Sequence, residues 1–139
     1  MKIEYRKSAA ATPAFALITE GWNELVQDGF TSELLGVCPV DSRNEVLHYA
    51  RDGEIVGVLC WQRDDVTNAF VVSLGYVEPT SRRRGVFREL YAELRQRADA
   101  KEVGRIVFQV HPMNVGAIEV VKKLGAGLSV LTYETILGA

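Results

Sequence analysis

The stretch "SRRRGVFREL" at residues 81–90 constrains the fold more than any other part of the sequence. Three arginines precede a single glycine, and an amphipathic helical pattern follows at once. The start of a helix is already electropositive, because its first N–H groups have no intrahelical partner and its dipole adds positive charge there. More cations at this end are unfavourable unless an anion lies among them. The stretch therefore predicts a loop and helix start that bind an anion.

The chemistry of this loop narrows the choice of anion. Gly85 lets the backbone approach a ligand closely because it has no Cβ. Guanidinium groups match phosphate oxygens, so a phosphate or pyrophosphate is expected. The sequence lacks the GK[ST] of an NTPase loop, and no G-x-G-x-x-G follows a strand here. These absences argue against the common nucleoside triphosphate and dinucleotide folds.

Length and hydrophobic pattern predict one α/β domain over residues 1–139, with a mixed sheet flanked by helices. Predicted strands cover 2–8, 68–77, 105–110 and 127–137, and residues 45–62 form a hairpin that turns at Asp52-Gly53. The strand at 105–110 is continuously apolar and is expected to be covered on both faces.

Predicted helices cover 12–28, 31–36 and 85–101, and a last helix follows Asn114 as its cap and ends at Gly125. The apolar stripe of the first helix comprises Phe15, Ile18, Trp22 and Leu25. That of the last helix comprises Ala117, Val120, Val121 and Leu124.

Composition and charge exclude several classes. No apolar run approaches the ~20 residues of a membrane span, and the start lacks the apolar stretch of a secretory signal, so a cytoplasmic protein is expected. Cys38 and Cys60 match no metal spacing and are interpreted as reduced core thiols. His48 and His111 fit no metal-ligand pattern, so no metal is predicted.

Charge is distributed unevenly along the chain. Residues 1–65 carry six Lys and Arg against eleven Asp and Glu, whereas residues 66–139 carry ten against seven. The second part suits an anionic ligand and the first a cationic one. A nucleic-acid surface is not expected, because the pI is ≈ 5.7 and no aromatics alternate with the basic residues of the loop, Arg82, Arg83, Arg84 and Arg88.

Two spaced motifs resemble the GNAT superfamily of acetyl-CoA-dependent N-acetyltransferases. The family's pyrophosphate loop reads Q/R-x-x-G-x-G/A, and its three defined positions fall on Arg82, Gly85 and Phe87. Its later motif, roughly N-x-x-A-x-x-x-Y-x-K-x-G-F, falls on Asn114, Ala117, Val121, Lys123, Gly125 and Ala126. The order of elements also fits along nearly the entire chain.

The resemblance implies a central, mostly antiparallel sheet that splays at a coenzyme A site. Backbone amides from Arg82 to Phe87 would hold the pyrophosphate, and the strand ending at Val77 would pair with the pantetheine arm. The Val77 N–H would polarise the acetyl carbonyl. The implied cofactor residues are Tyr76, Val77, Arg82, Arg83, Arg84, Gly85, Val86, Phe87 and Asn114. The implied reaction is direct attack of an amine on the thioester of acetyl-CoA, with no metal.

Departures from the family pattern affect the acid–base positions. Phe87 replaces a small residue and Ala126 an aromatic one, and both changes are structural. Val121 stands where many members carry a Tyr that protonates the thiolate. Gln109 stands where some carry a Glu base. An alkylammonium has a pKa of ~10 and must lose a proton before it attacks.

Several residues are candidates to fill these empty roles. His111 ends a strand that lines the cleft and is the candidate base, because histidine is the residue type suited to proton transfer near neutral pH. Tyr133 could reach the thiol, and Glu78 shares a strand face with Tyr76. Each has a purely structural alternative, and water relayed to bulk is a further one. Trp22, Trp61 and Phe30 are candidates to line an acceptor pocket, with core packing as their alternative.

Two functions from different classes remain open. One is an N-acetyltransferase acting on a primary amine of a small molecule or peptide. The other is a catalytically degenerate domain that binds acyl-CoA as a sensor or interaction module, supported by the empty acid–base positions. A homodimer through the last strand or the sheet edge is a further expectation from the family.

Overall fold

The computed structural model describes residues 2–31 and 38–128 as a five-stranded sheet with a helix on each face and a third helix after the last strand. The strands are β1 (Lys2–Arg6), β2 (Glu45–Arg51), β3 (Glu54–Asp64), β4 (Ala69–Val77) and β5 (Arg105–Phe108). The helices are α1 (Phe15–Gln27), α2 (Val86–Ala100) and α3 (Val115–Lys123). The mixed α/β architecture is confirmed. The predicted short helix at 31–36 and last strand at 127–137 lie almost wholly outside the described residues.

The sheet has the order β1-β2-β3-β4-β5. The first four strands pair antiparallel with their neighbours, and only β4 and β5 are parallel. The β2–β3 turn has positive φ at Asp52 (52°) and Gly53 (83°), as expected for a two-residue hairpin loop. Helix α2 connects β4 to β5, because parallel neighbours need a long crossover.

Each face of the sheet carries its own hydrophobic core. On one face α2 buries Leu90 and Leu94 against Leu59, Trp61 and other residues of β2, β3 and β4. On the other face α1 buries Leu17 and Ile18 against the opposite side of the same strands. The central strands are therefore covered on both sides, which rigidly holds whatever lies at their ends.

Three predictions of burial are corrected by the structure. Phe15 is 63% exposed, because α1 turns Leu17, Ile18 and Gly21 inward instead. Val120 on α3 is 43% exposed, and none of the residues of α3 is fully buried. The apolar residues of β5, at 106–108, are half-buried rather than covered on both faces.

A one-residue irregularity divides β4 into two parts. Val72 lies opposite Trp61 on β3 and Leu74 lies opposite Cys60, so Ser73 is an extra residue, as in a β-bulge. Before the bulge, Phe70 and Val72 belong to the α2-side core. After it, Leu74 and Tyr76 belong to the α1-side core. The bulge thus reverses the face to which alternate side chains of β4 point.

The sheet opens at the same position. The last pair between β4 and β5 is Val72 with Phe108. From Ser73 to Val77, β4 keeps β3 on one side and has no described strand on the other. The splayed sheet expected from the resemblance is present in this part of the chain.

Candidate active site

The loop between β4 and α2 is shaped by alternating backbone conformations. A single 3₁₀ turn covers Pro79–Ser81, and Arg82 is extended at φ −69° and ψ 157°. Arg83 and Gly85 both have left-handed φ values, 62° and 81°. Glycine adopts this region at no steric cost, whereas arginine does not. Gly85 is left-handed and Val86, the first residue of α2, is right-handed, and such a pair turns its N–H groups toward a common point, which makes an anion-binding concavity.

The N–H groups of this concavity are available. Helix α2 makes its first helical bond from the Glu89 N–H to the Gly85 carbonyl, at 3.0 Å. In the part of the chain that the structure describes, the six backbone N–H groups from Arg83 to Arg88 donate to no other residue. A Cβ built on Gly85 meets no atom within 4 Å, so the space in front of the loop is open. We call residues 83–88 the cradle, and its chemistry fits a pyrophosphate.

Two glycines on the sheet fix the helical end of the cradle. A Cβ on Gly57 would lie 2.6 Å from Val86 Cγ1, and one on Gly75 would lie 2.5 Å from Phe87 Cε2. Both distances are too short for real atoms, so only glycine lets α2 approach β3 and β4 this closely. The Phe87 ring therefore packs on the strand while its N–H stays in the cradle. This explains how a large residue is accommodated at a position where the family has a small one.

The free edge of β4 leads into the cradle. Glu78 N–H donates to the Val56 carbonyl at 2.9 Å, so Glu78 bonds toward β3. Hydrogen-bonding directions alternate along an antiparallel strand, and the N–H and C=O groups of Val77 and Gly75 therefore face the open side. An extended ligand arm can pair with the Gly75 groups and the Val77 N–H as an added strand would, whereas the Val77 carbonyl is already bonded to Arg82.

Arg82 turns its side chain away from the cradle. Its Nε donates to the Val77 carbonyl at 2.8 Å, and its Nη2 donates to both carboxylate oxygens of Glu24 on α1, at 2.9 and 3.0 Å. Its own N–H donates to the Pro79 carbonyl at 3.4 Å. The sequence pattern did not single out Glu24, since its partner lies 58 residues away.

Tyr76 and Glu78 both have structural partners. Tyr76 is 8% exposed, and its hydroxyl donates to Glu24 at 2.7 Å. Burial, followed by the neighbouring Glu24 carboxylate, raises the pKa of Tyr76 far above its usual value. The Glu78 carboxylate accepts hydrogen bonds from the hydroxyls of Thr80 and Ser81, at 3.0 and 2.8 Å. Both bonds reach the same oxygen, Oε1, which ties the carboxylate to the turn before the loop.

His111 has one ring nitrogen committed to the backbone. Its Nδ1 accepts from the Met113 N–H at 3.0 Å, and its ring contacts Phe30 beyond α1, with centroids 5.9 Å apart. A neutral imidazole whose Nδ1 accepts carries its proton on Nε2. Nε2 is therefore a donor in this arrangement, and it can accept a proton only if the bond to Met113 opens.

The remaining sequence candidates lie as follows. Asn114 caps α3 through Oδ1, which accepts from the Ala117 N–H at 3.2 Å, so its amide Nδ2 is the group it can offer to a ligand. Val121 is half-buried on α3 and brings no proton donor. Trp61, 1% exposed, is a core residue and cannot line an acceptor pocket. Trp22 borders a cavity of about 260 Å³ beside α1. Tyr133 lies outside the described residues.

A larger cavity, of about 440 Å³, begins where β4 and β5 separate. Ser73 and Gln109 line it at the split, and its other walls come from β3, the β3–β4 turn and Pro39. Strand β3 contributes Gln62, Arg63 and Asp64, and the turn contributes Asp65. The cavity thus borders the split edge of the sheet.

Within residues 2–31 and 38–128, no cluster of His, Cys, Asp and Glu could hold a metal ion, and no helix is long and apolar enough to cross a membrane. Both cysteines are free thiols, and burial strongly raises the pKa of Cys60. Cys60 is therefore an inert core residue.

A parallel strand pair that parts beside a loop of free amides is the architecture of an acyl-CoA-dependent acetyltransferase. The chain belongs to the acetyltransferase (GNAT) family, whose model matches residues 14–126. No curated protein matches the sequence.

Solved structures share the fold at low sequence identity. A ribosomal-protein-alanine N-acetyltransferase from Brucella melitensis biovar Abortus 2308 is 16% identical with a TM-score of 0.72, over 99% of this chain and 100% of that one. An aminoglycoside acetyltransferase from an uncultured soil metagenomic sample, in complex with trehalose, is 17% identical with a TM-score of 0.71, over 98% and 95%. The aminoglycoside N-acetyltransferase AAC(6')-Iy, in complex with CoA, is 19% identical with a TM-score of 0.64, over 97% and 99%.

Proposed function

We propose that this acetyltransferase binds acetyl-CoA along the split edge of β4 and transfers the acetyl group to a primary amine of a small molecule or peptide. The observation that carries the proposal is the continuity of two sets of backbone groups. The open edge of β4 runs into six free N–H groups of the cradle, so an extended arm ending in a diphosphate meets partners along its whole length.

The proposed reaction places the thioester at the split between β4 and β5. The N–H of Val77, and that of Gly75 two residues nearer the split, face this space and can stabilise the oxyanion that forms when the amine attacks. The acceptor enters through the cavity lined by Ser73 and Gln109. The acceptors of related structures, a ribosomal-protein alanine and aminoglycosides, are amines of different size, and they leave the acceptor class of this chain open between small molecule and peptide.

The proton steps use groups other than the usual pair. We assign to His111 Nε2–H the donation of a hydrogen bond to developing negative charge, because its Nδ1 is bonded to Met113. The amine proton passes to water in the cavity, since Gln109 cannot accept it and Glu78 is not among the residues that line the cavity. Tyr133 stays a candidate donor to the thiol.

The test of cofactor binding is a melting experiment. Acetyl-CoA is expected to raise the melting temperature because it binds only the folded state, and CoA should act nearly as well. Gly85→Glu should abolish both shifts, because it brings a side chain and a negative charge into the cradle. Gly53→Glu is the matched control, since Gly53 has nearly the same φ (83° against 81°) and equally open surroundings. It should melt lower but still respond to the ligand.

Two outcomes would contradict the proposal. If neither ligand shifts the melting temperature of the wild-type protein at saturation, the protein does not bind acetyl-CoA. If Gly85→Glu keeps both shifts in melting temperature, the diphosphate does not bind at the cradle. Release of free CoA during an amine screen then separates an active enzyme from a domain that only binds acyl-CoA.

A further inference from the structure

Arg82 differs from the two arginines that follow it. All three side chains are exposed, but only Arg82 makes hydrogen bonds or ion pairs with other described residues. Its guanidinium binds both oxygens of Glu24 and the Val77 carbonyl, and it lies 5.3 Å from the centre of the Tyr76 ring. A guanidinium whose Nη2 lies on a carboxylate, whose Nε lies on a carbonyl and whose plane lies near an aromatic ring has one defined position.

Glu24 is itself held in place from the core. Its Oε2 accepts from the Tyr76 hydroxyl at 2.7 Å. The Tyr76 ring packs on α1 at Gly21, where a Cβ would lie 2.7 Å from the ring Cγ. The carboxylate that receives Arg82 is thus fixed by a buried side chain on one side and by its own helix on the other.

The hydrogen bond from Arg82 to Val77 connects this arrangement to the proposed cofactor site. Val77 is the last residue of β4, and its carbonyl is the last acceptor on the open edge. Because Arg82 Nε fills that acceptor, the guanidinium closes the edge where the strand ends and the cradle begins. The cradle is then anchored at both ends, by Arg82 at its start and by Val86 and Phe87 at its finish.

We propose that Glu24 is a positioning residue for cofactor binding, which holds Arg82 across the end of β4 and thereby fixes the cradle, so that Arg82 does not itself bind the diphosphate. The inference rests on the proposed function. Its physical basis is charge as well as geometry. The Arg82 guanidinium already faces a carboxylate, so the charge left for an anion comes from Arg83, Arg84 and Arg88, whose side chains have no described partner.

The two possible roles of Arg82 predict opposite signs for one substitution. If Arg82 were a diphosphate ligand restrained by Glu24, Glu24→Gln would free a cation and remove a nearby anion, and CoA would bind more tightly. If Glu24 positions the cradle through Arg82, the same substitution loosens the cradle, and CoA binds more weakly. Glutamine keeps the size of the side chain, so packing on α1 changes little.

The experiment measures the dissociation constant of CoA for the full chain and four variants: Glu24→Gln, Arg82→Gln, the double variant and Arg82→Lys. We expect each single glutamine variant to weaken CoA binding by about three- to tenfold, and the double variant to be no weaker than either single one. Arg82→Lys should resemble Arg82→Gln, because lysine keeps the charge but its single nitrogen cannot replace both Nη2 at Glu24 and Nε at Val77.

Arg84→Gln is the matched charge control in the same loop. Its loss of CoA affinity should depend on salt, since screening weakens a direct charge contact, whereas the loss in Arg82→Gln should be nearly independent of salt. Melting temperatures of the unliganded variants show that the protein under test is folded.

Three results would overturn the inference: tighter CoA binding by Glu24→Gln, losses that add in the double variant, or full affinity in Arg82→Lys. These results are distinct from failure of the proposed function, in which the wild-type protein itself would not bind CoA.

Discussion

Among single residues, His111 shows how one backbone contact limits the chemistry of a side chain. The sequence marks it as a base because histidine titrates near neutrality and follows a cleft strand. The structure adds the bond from the Met113 N–H to Nδ1, which leaves the proton on Nε2. A donor at this place suits developing negative charge, whereas a base requires the opposite tautomer.

A pair of substitutions at His111 separates its chemistry from its role in the turn. Asparagine can accept the Met113 N–H through Oδ1, as Nδ1 does, but it has no Nε2. If Nε2 serves the reaction, His111→Asn should lower kcat/KM by about 10²-fold or more, as should His111→Ala. CoA affinity should be unchanged in both. Wild-type rates in His111→Asn with a loss only in His111→Ala would reduce His111 to a structural residue.

At the scale of elements, the approach of α2 to the sheet sets the position of the cradle. Val86 and Phe87 are at once the first residues of the helix and the residues that press on Gly57 and Gly75. A change in one strand glycine therefore moves the cradle N–H groups directly. Packing between these elements thus sets the position of the cradle through two side chains.

A double substitution tests this linkage. Gly75→Ala should destabilise the fold by about 1–3 kcal/mol, because its Cβ would lie 2.5 Å from the Phe87 ring. It should also weaken CoA binding, since the ring and the start of α2 must shift. The combined Gly75→Ala and Phe87→Ala variant should be no less stable than Phe87→Ala alone, as measured by urea unfolding. If the losses of stability in the two single variants add fully in the double variant, the packing of residue 75 does not depend on the Phe87 ring.

The sequence predicts most elements of this fold and less of its site. The loop of Arg82 and Gly85, the Asp52-Gly53 hairpin and the Asn114 cap are local features, and their residues and neighbours are adjacent in the chain. The bulge at Ser73 could not be read from "FVVSLGYV", because its alternation continues through it. The same holds for Glu24 and Arg82, which meet only through tertiary packing.

Across the whole molecule, buried and paired ionisable groups link stability to pH. His48 is 2% exposed on the α1 side of the sheet, with Nε2 3.2 Å from Glu4 and no described partner for Nδ1. Burial lowers the pKa of His48, although the Glu4 carboxylate opposes the shift, and the nearby Lys2 and Arg6 add to the lowering. The folded protein therefore holds His48 neutral at a pH where the unfolded chain binds a proton.

The expected consequence is a loss of stability as pH falls below about 6.5, the ordinary pKa of histidine, with full stability above it. His48→Gln should flatten this limb, because glutamine can donate to Glu4 as Nε2–H does but does not titrate. A second limb should remain in both proteins below about pH 4.5, since hydrogen bonds lower the pKa values of Glu24 and Asp64. Urea unfolding from pH 7.5 to 3.5 measures both limbs, and an unchanged upper limb in His48→Gln would exclude His48 as its source.

Because of the bulge at Ser73, the number of residues in β4 determines which face of the sheet each side chain occupies. With the extra residue, Phe70 and Val72 pack in the α2-side core, whereas Leu74 and Tyr76 pack in the α1-side core. Gly75 then lies against Phe87, and Val77 lies at the end of the open edge. Removing any one residue between 70 and 77 would exchange inside and outside for everything on one side of the cut. Evolution of this strand is therefore confined to amino-acid substitutions. Insertions and deletions have to fall in the turns at its two ends. The cleft therefore stays at the same position relative to these turns, even where the surrounding sequence changes.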